Sequence, residues 1–236
     1  MNYYSPNTAS YGEAQINERS LFLRRVYGHL AGAVLGFVAL EAVFLSSSTM
    51  KSAALQMVGS GRWMWLVILL AFMGVSVLAN RMAHSMTSRS VQYAGLALYT
   101  FCEALFFLPL LALLELRDPS HSILLKAVLI TSGLFLGLST VALSTRRDLS
   151  GMGRFIKVGM WVALAVILAS LIFGFTLGVF FISLMVALMA ACILWETQKI
   201  AREYPAEGYV GASLVIFSSL ATLFWYVIQL VGSFND

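Results

Sequence analysis

Charge is scarce in this chain. Charged residues make up 11% of its 236 positions, where a soluble domain carries roughly 25%. So few charges cannot cover a globular surface, which excludes an ordinary solvated domain. The shortage is also uneven: 38 residues, from Val158 to Trp195, pass without a single Asp, Glu, Lys or Arg. Cysteine is nearly absent. Cys102 and Cys192 each lie inside an apolar run at no metal-ligand spacing, so they read as small buried hydrophobes and say nothing about redox compartment. No histidine follows His121, which removes the base that an intramembrane serine protease needs in a late helix. No lysine lies in Tyr209–Val231, so a retinal-binding pump of the rhodopsin type is excluded as well. With no other catalytic constellation in view, the chain reads as a non-enzyme without a cofactor or a bound metal.

What fills the sequence instead is hydrocarbon. Hydrophobic residues reach 60% and the mean hydropathy is +0.85. Seven apolar segments can be drawn: Val26–Leu45, Trp63–Ala79, Val91–Leu114, Ile123–Leu143, Val158–Phe173, Thr176–Trp195 and Tyr209–Val231. Each has about the length needed to cross a ~30 Å core as a helix. The uncharged run is too long for one span, and it divides at "FGFTLG", where Gly174 and Gly178 allow a tight hairpin. The loops are short, so residues 21–236 form one membrane domain, preceded by a polar, disordered cytosolic tail over residues 1–20. The first apolar run, about 20 residues long, is too long for a signal-peptide core, and the first helix is expected to be retained.

Basic residues orient the chain. With the N-terminus inside, eleven Lys and Arg fall on the cytoplasmic side (Arg81, Arg89, Arg146, Arg147 and Arg202 among them), against Lys51, Arg62, Arg117 and Lys126 on the other. That bias predicts a cytoplasmic N-terminus and a C-terminus across the membrane. It also accounts for the net charge of +4 and the pI near 9.2 without nucleic acid as a partner; the expected partner is the lipid bilayer.

Few polar residues sit within the apolar segments. Glu103 lies near the middle of the third, where a carboxylate is costly unless protonated, paired or facing water. It is either a hydrogen-bonded acid tying helices together or a member of an ion or proton path. Glu41, near the outer end of the first segment, reads as a snorkelling interfacial acid, and His29 as an interfacial histidine. Asp148, in "STRRDLSGMGRF", reads as a helix cap or loop turn, with Arg146, Arg147 and Arg154 as a cytoplasmic anchor. Glu196 closes the uncharged run, either as a helix end meeting water or as part of a site. Ser218, Ser219 and Thr222 mark a polar stretch in the seventh segment, of the kind found where membrane helices pack closely.

Three stretches together resemble one family, the Bax inhibitor motif proteins and their bacterial members. They are "FLRRVYGHLAGAVLGF", "ALSTRRDLSGMGRFI", and "LWETQKI" followed by "GASLVIFSSLATLFWYVIQLV". The likeness runs from about residue 20 to the end, in order and with the right spacing. It implies an all-α membrane fold in which six helices surround a central C-terminal seventh, and a pH-sensitive leak of calcium as the permeant ion across a bacterial inner membrane. It also implies a latch of two aspartates, one on the sixth helix and one on the seventh, held by an arginine at the inner end of the second. On this chain the first acid falls at Glu196, the second position at Ser219, and the arginine at Arg81, with Arg89 as the alternative. A carboxyl and a hydroxyl hold one ionisable group, so they cannot titrate as the coupled pair that two acids form, and Ser219 offers calcium no charged oxygen. Glu103 is a candidate for a deeper carboxylate in the ion path, for which the resemblance does not vouch. The alternative reading is a non-conducting regulator that uses the same fold to bind proteases or other membrane proteins.

Overall fold

The structure, a computed structural model, describes residues 8–86, 88–145 and 147–235, with side chains from Asn17 onward. Within them the chain is all helix: α1 (Thr8–Ser46), α2 (Ser48–Gly59), α3 (Arg62–Ala83), α4 (Arg89–Arg117), α5 (Ser122–Ser144), α6 (Met152–Phe173), α7 (Val179–Glu203) and α8 (Tyr209–Ser233). Seven of these, all but α2, are long and apolar enough to cross a membrane. Helix is the form that satisfies every backbone polar group within its own segment, which hydrocarbon demands.

Two boundaries differ from the sequence expectation. The segment between the first two spans is the helix α2 rather than a loop. Ser47 opens it, its hydroxyl accepting from the Met50 N–H at 3.4 Å; at 12 residues it is too short to span. The polar stretch assigned to a disordered tail is helical from Thr8 onward, while residues 1–7 lie outside the described residues, as does Arg146. Between Thr8 and Arg19 there is no proline, and Gly12 is the one residue that weakens a helix strongly, so a helix nucleated in the bilayer continues outward. Its extension is tied down by Arg19, whose guanidinium donates to the Ile200, Ala201 and Tyr204 carbonyls, the last at 2.7 Å. Those are the orphaned carbonyls at the end of α7, which attract cationic donors. Arg19→Ala should therefore loosen the end of α7. The expected cost is about 1–2 kcal/mol, the lower part of the range for hydrogen bonds to charged groups because the site is half exposed, read as a fall in Tm in detergent.

At "FGFTLG" the chain turns as expected. The α6 helix ends on Gly174 in the left-handed region, φ +79°, with its N–H on the Ser170 carbonyl at 2.8 Å. Only glycine takes that conformation without strain.

The C-terminal helix α8 packs against α1, α3, α4, α5 and α7 and is buried along most of its length, through Val210, Leu214, Phe217, Leu223 and Ile228. This is the central helix of the seven. The α4 helix is buried to a similar degree, through Ala104, Phe107 and Ala112, so the bundle has a second inner member. The α6 helix lies on the outside, against α3 and α7. We call the end bearing Arg19, Arg81, Arg147 and Arg202 the basic end.

Candidate functional site

Near the basic end, α7 and α8 face each other through three polar side chains. Cys192 and Glu196 are four residues apart on α7 and so share a face. Ser219 stands opposite on α8, and its hydroxyl donates to Glu196 Oε2 at 2.6 Å. The Cys192 sulfur is 3.7 Å from the same hydroxyl. Ser219 and Cys192 are buried and Glu196 half-buried. Glu196 therefore turns inward onto the neighbouring helix rather than outward to water, and the sequence positions of acid and hydroxyl meet in space.

Arg81 does not join them. It is exposed, and among the described residues it forms no ion pair. The reason is helical phase. Ala79 and Ala83 are buried inside the bundle, and at about 100° per residue Arg81, two positions from each, points away. Arg89 is engaged elsewhere: it donates to the Glu207 carbonyl at 3.2 Å, and its guanidinium lies 4.8 Å over the Tyr209 ring. Lys199 lies 5.0 Å over the Trp195 ring.

The loop between α5 and α6 is held against α7 one turn beyond. Gln198 accepts from the Leu149 N–H and donates to the Arg147 carbonyl, both at 2.8 Å, and Arg202 donates to the Thr145 carbonyl at 3.1 Å. Asp148 forms a local turn, accepting from the Ser150 N–H and hydroxyl, each at 2.9 Å. These donors, the Ser150 N–H foremost, hold its carboxyl below the usual range. Gln198, like Arg19, carries nothing in the sequence that singles it out; its role follows from which loop folds back onto α7.

Deeper in the bundle, Glu103 on α4 is 3% exposed and its Oε2 has no hydrogen-bond partner among the described residues. Tyr99, one turn before it, is also buried, and its ring meets Phe217 of α8 edge-on with centres 6.0 Å apart. The buried Glu103 and Tyr99 of α4 thus lie beside the part of α8 in which Ser218 and Ser219 follow Phe217. Glu41 corrects the snorkelling reading: it is 5% exposed, with both carboxylate oxygens buried and, among the described residues, unpartnered. Phe37 and Phe44 on its helix pack on α4 through Phe107 and Phe101, which draws that face of α1 inward.

Seven spanning helices, five of them around an inner pair, with acids inside and no cluster of three metal-ligating side chains among the described residues, define a multi-pass helical membrane protein. The family described as "Inhibitor of apoptosis-promoting Bax1" matches residues 19–236, and the chain belongs to it. Among its relatives, "Bax inhibitor 1" of Schizosaccharomyces pombe is 28% identical over 98% of this chain and 83% of its own length. "Protein lifeguard 4" of Mus musculus is 23% identical over 94% of this chain and 89% of its own length. The "Golgi anti-apoptotic protein" of Vaccinia virus is 25% identical over 96% of this chain and 91% of its own length.

Proposed function

We propose that the protein is a proton-gated cation leak, with calcium as a permeant ion, lying in a bacterial inner membrane with its basic end in the cytoplasm. The observation that carries this reading is the 2.6 Å hydrogen bond from Ser219 to Glu196. It clasps α7 to α8 near the basic end, beside the stretch of α8 on which Tyr99 of α4 packs through Phe217. A hydroxyl bonds an ionised carboxylate more strongly than a neutral acid. Protonating Glu196 therefore weakens the clasp, α7 and α8 part, and flux rises as pH falls. A single carboxyl takes up one proton, so the response is graded, with opening changing at most about tenfold per pH unit. Glu103 supplies the carboxyl in the deeper part of the route, and Arg81 has no part in the clasp.

Calcium flux into proteoliposomes, measured from about pH 5 to about pH 8, tests this. Glu196→Gln keeps the size of the side chain but removes the proton-binding group. It should leave flux flat across that range, while the unaltered chain shows severalfold more flux at the acid end. An unchanged profile in the variant would sink the assignment.

The replacement of the second acid by Ser219 favours one other reading, a non-conducting regulator of membrane partners in line with the anti-apoptotic name of the viral relative. Absence of flux from well-folded reconstituted protein at every pH would favour it.

A further inference from the structure

A cavity of about 310 Å³ opens between α3, α4, α6, α7 and α8, away from the Glu196 clasp. Its wall is aromatic. Phe72 stacks on Phe106 with ring centres 4.7 Å apart, Phe106 packs on Trp225 at 4.9 Å, and Phe181 meets Tyr226 edge-on at 6.4 Å. All five rings line the space, and among the described residues Glu103 is the one charged side chain in its wall, with no Lys or Arg to neutralise it. The polar neighbours turn their donors elsewhere: Thr222 to the Ser218 carbonyl at 2.8 Å and Gln229 to the Trp225 carbonyl at 3.4 Å. Glu103 Oε2 is left buried without a partner.

A lone buried carboxyl inside an aromatic wall has a defined chemical complement. Calcium fits poorly, because it takes six to eight oxygen ligands, several of them usually carboxylates, and no second acid lines the space. An alkylammonium needs no such shell. Its diffuse charge is held by ring faces and one counter-charge, and its alkyl groups fill apolar volume. We propose that this cavity is a binding site for a small organic cation of the quaternary-ammonium class, with Glu103 as counter-ion and the Phe72–Phe106–Trp225 stack as its cation–π wall. The site does not depend on the leak reading. Where that reading holds, an occupant beside Glu103 would obstruct the route.

The probe is benzyltrimethylammonium, with its neutral isostere neopentylbenzene as control. Binding is measured by equilibrium dialysis against the full chain in nanodiscs free of choline lipids, with empty discs subtracted. The cation should bind at least about tenfold more tightly than the isostere, the size of a desolvated cation–π and charge contribution. Glu103→Gln should erase that preference and Trp225→Leu should weaken binding severalfold, while Glu196→Gln, which tests the clasp, should leave it unchanged. Equal binding of cation and isostere would overturn the proposal, as would undiminished cation binding by Glu103→Gln. So would binding of calcium, but not of the organic cation, in a Glu103-dependent manner. If Glu103→Gln does not fold, as judged by thermal unfolding, the cation-to-isostere ratio on the unaltered chain together with Trp225→Leu decides the matter.

Discussion

Gly95→Val is expected to unfold the bundle or lower its Tm severely, by more than any polar substitution considered above. Gly95 lies on α4 where that helix crosses the end of α3. A Cβ there would lie 2.6 Å from the Ala83 nitrogen and 2.7 Å from the Ala79 carbonyl oxygen. Those are backbone atoms, so no side-chain rotation can make room. Even alanine must push the two helices apart, and valine adds two methyls to the same clash. Overpacking costs about 1–3 kcal/mol where side chains can shift, and more where backbones must move; a marginal domain has only ~5–15 kcal/mol in total. Without water-driven association inside a bilayer, close approach through small residues is a main source of helix affinity. The same corner receives α8: a Cβ on Gly211 would lie 3.0 Å from the Ala83 oxygen. Ala83 thus sits where α3, α4 and α8 meet, so a displacement at Gly95 is passed to the inner helix that carries Ser219. Gly28→Val, at a glycine with no atom within 4 Å of its Cβ position, is the control and should leave Tm nearly unchanged. Thermal unfolding in detergent, with gel filtration to detect aggregation, distinguishes the two.

The span pattern was legible because hydrocarbon leaves the sequence little freedom. Long apolar runs, glycines at the α6–α7 turn and clustered arginines all follow from the bilayer itself. The ends of the spans were less legible. The α2 helix carries Lys51, Thr49 and two serines and has no apolar face strong enough to stand out, and the extension of α1 is ordered by Arg19 reaching α7, a contact about 180 residues away in sequence. The pairing of Glu196 with Ser219 came from a family resemblance rather than from spacing, since nothing local links positions 23 residues apart. Arg81 failed for a reason present in the sequence: the small residues Ala79 and Ala83 flank it and claim the inward face. The inward turn of Glu41 was not legible, because it depends on how α1 rotates against α4.

On the leak reading proposed above, Ser219→Asp is expected to turn a one-sided pH response into a closed window bounded at both ends. Ser219 Oγ is 2.6 Å from Glu196 Oε2, so a carboxyl at this position, on a side chain only slightly longer, falls within hydrogen-bonding reach of the first. Two carboxyls so placed in a poorly solvated site share one proton and titrate as a pair, not as independent groups. With one proton the pair is a short, charge-assisted bond and α7 stays clasped to α8. With none, two like charges repel across a site from which water is largely excluded. With two, the charge that held the bond is gone. The calcium flux profile should then show a closed window bounded on both sides, its acid limb set by uptake of a second proton and its alkaline limb by loss of the shared one. Stability gives an independent readout with a definite sign. The shared proton is held more tightly in the folded state than in the unfolded chain, so its contribution is present at low pH and is lost as pH rises. The Tm of Ser219→Asp should therefore fall relative to the unaltered chain between about pH 5 and about pH 8, where each pH unit of proton release weakens folding by up to about 1.4 kcal/mol. Ser219→Ala separates charge from the hydrogen bond. It removes the donor, adds no acid, and should lower Tm by about 1–3 kcal/mol equivalent at the pH values where Glu196 is ionised. If Ser219→Asp and Ser219→Ala gave superimposable pH profiles in both flux and Tm, the two positions would not form a proton-sensing clasp. A bounded window with Ser219→Asp alone would mean that the Glu196 site already has the geometry of a two-acid switch and differs from one in a single side chain.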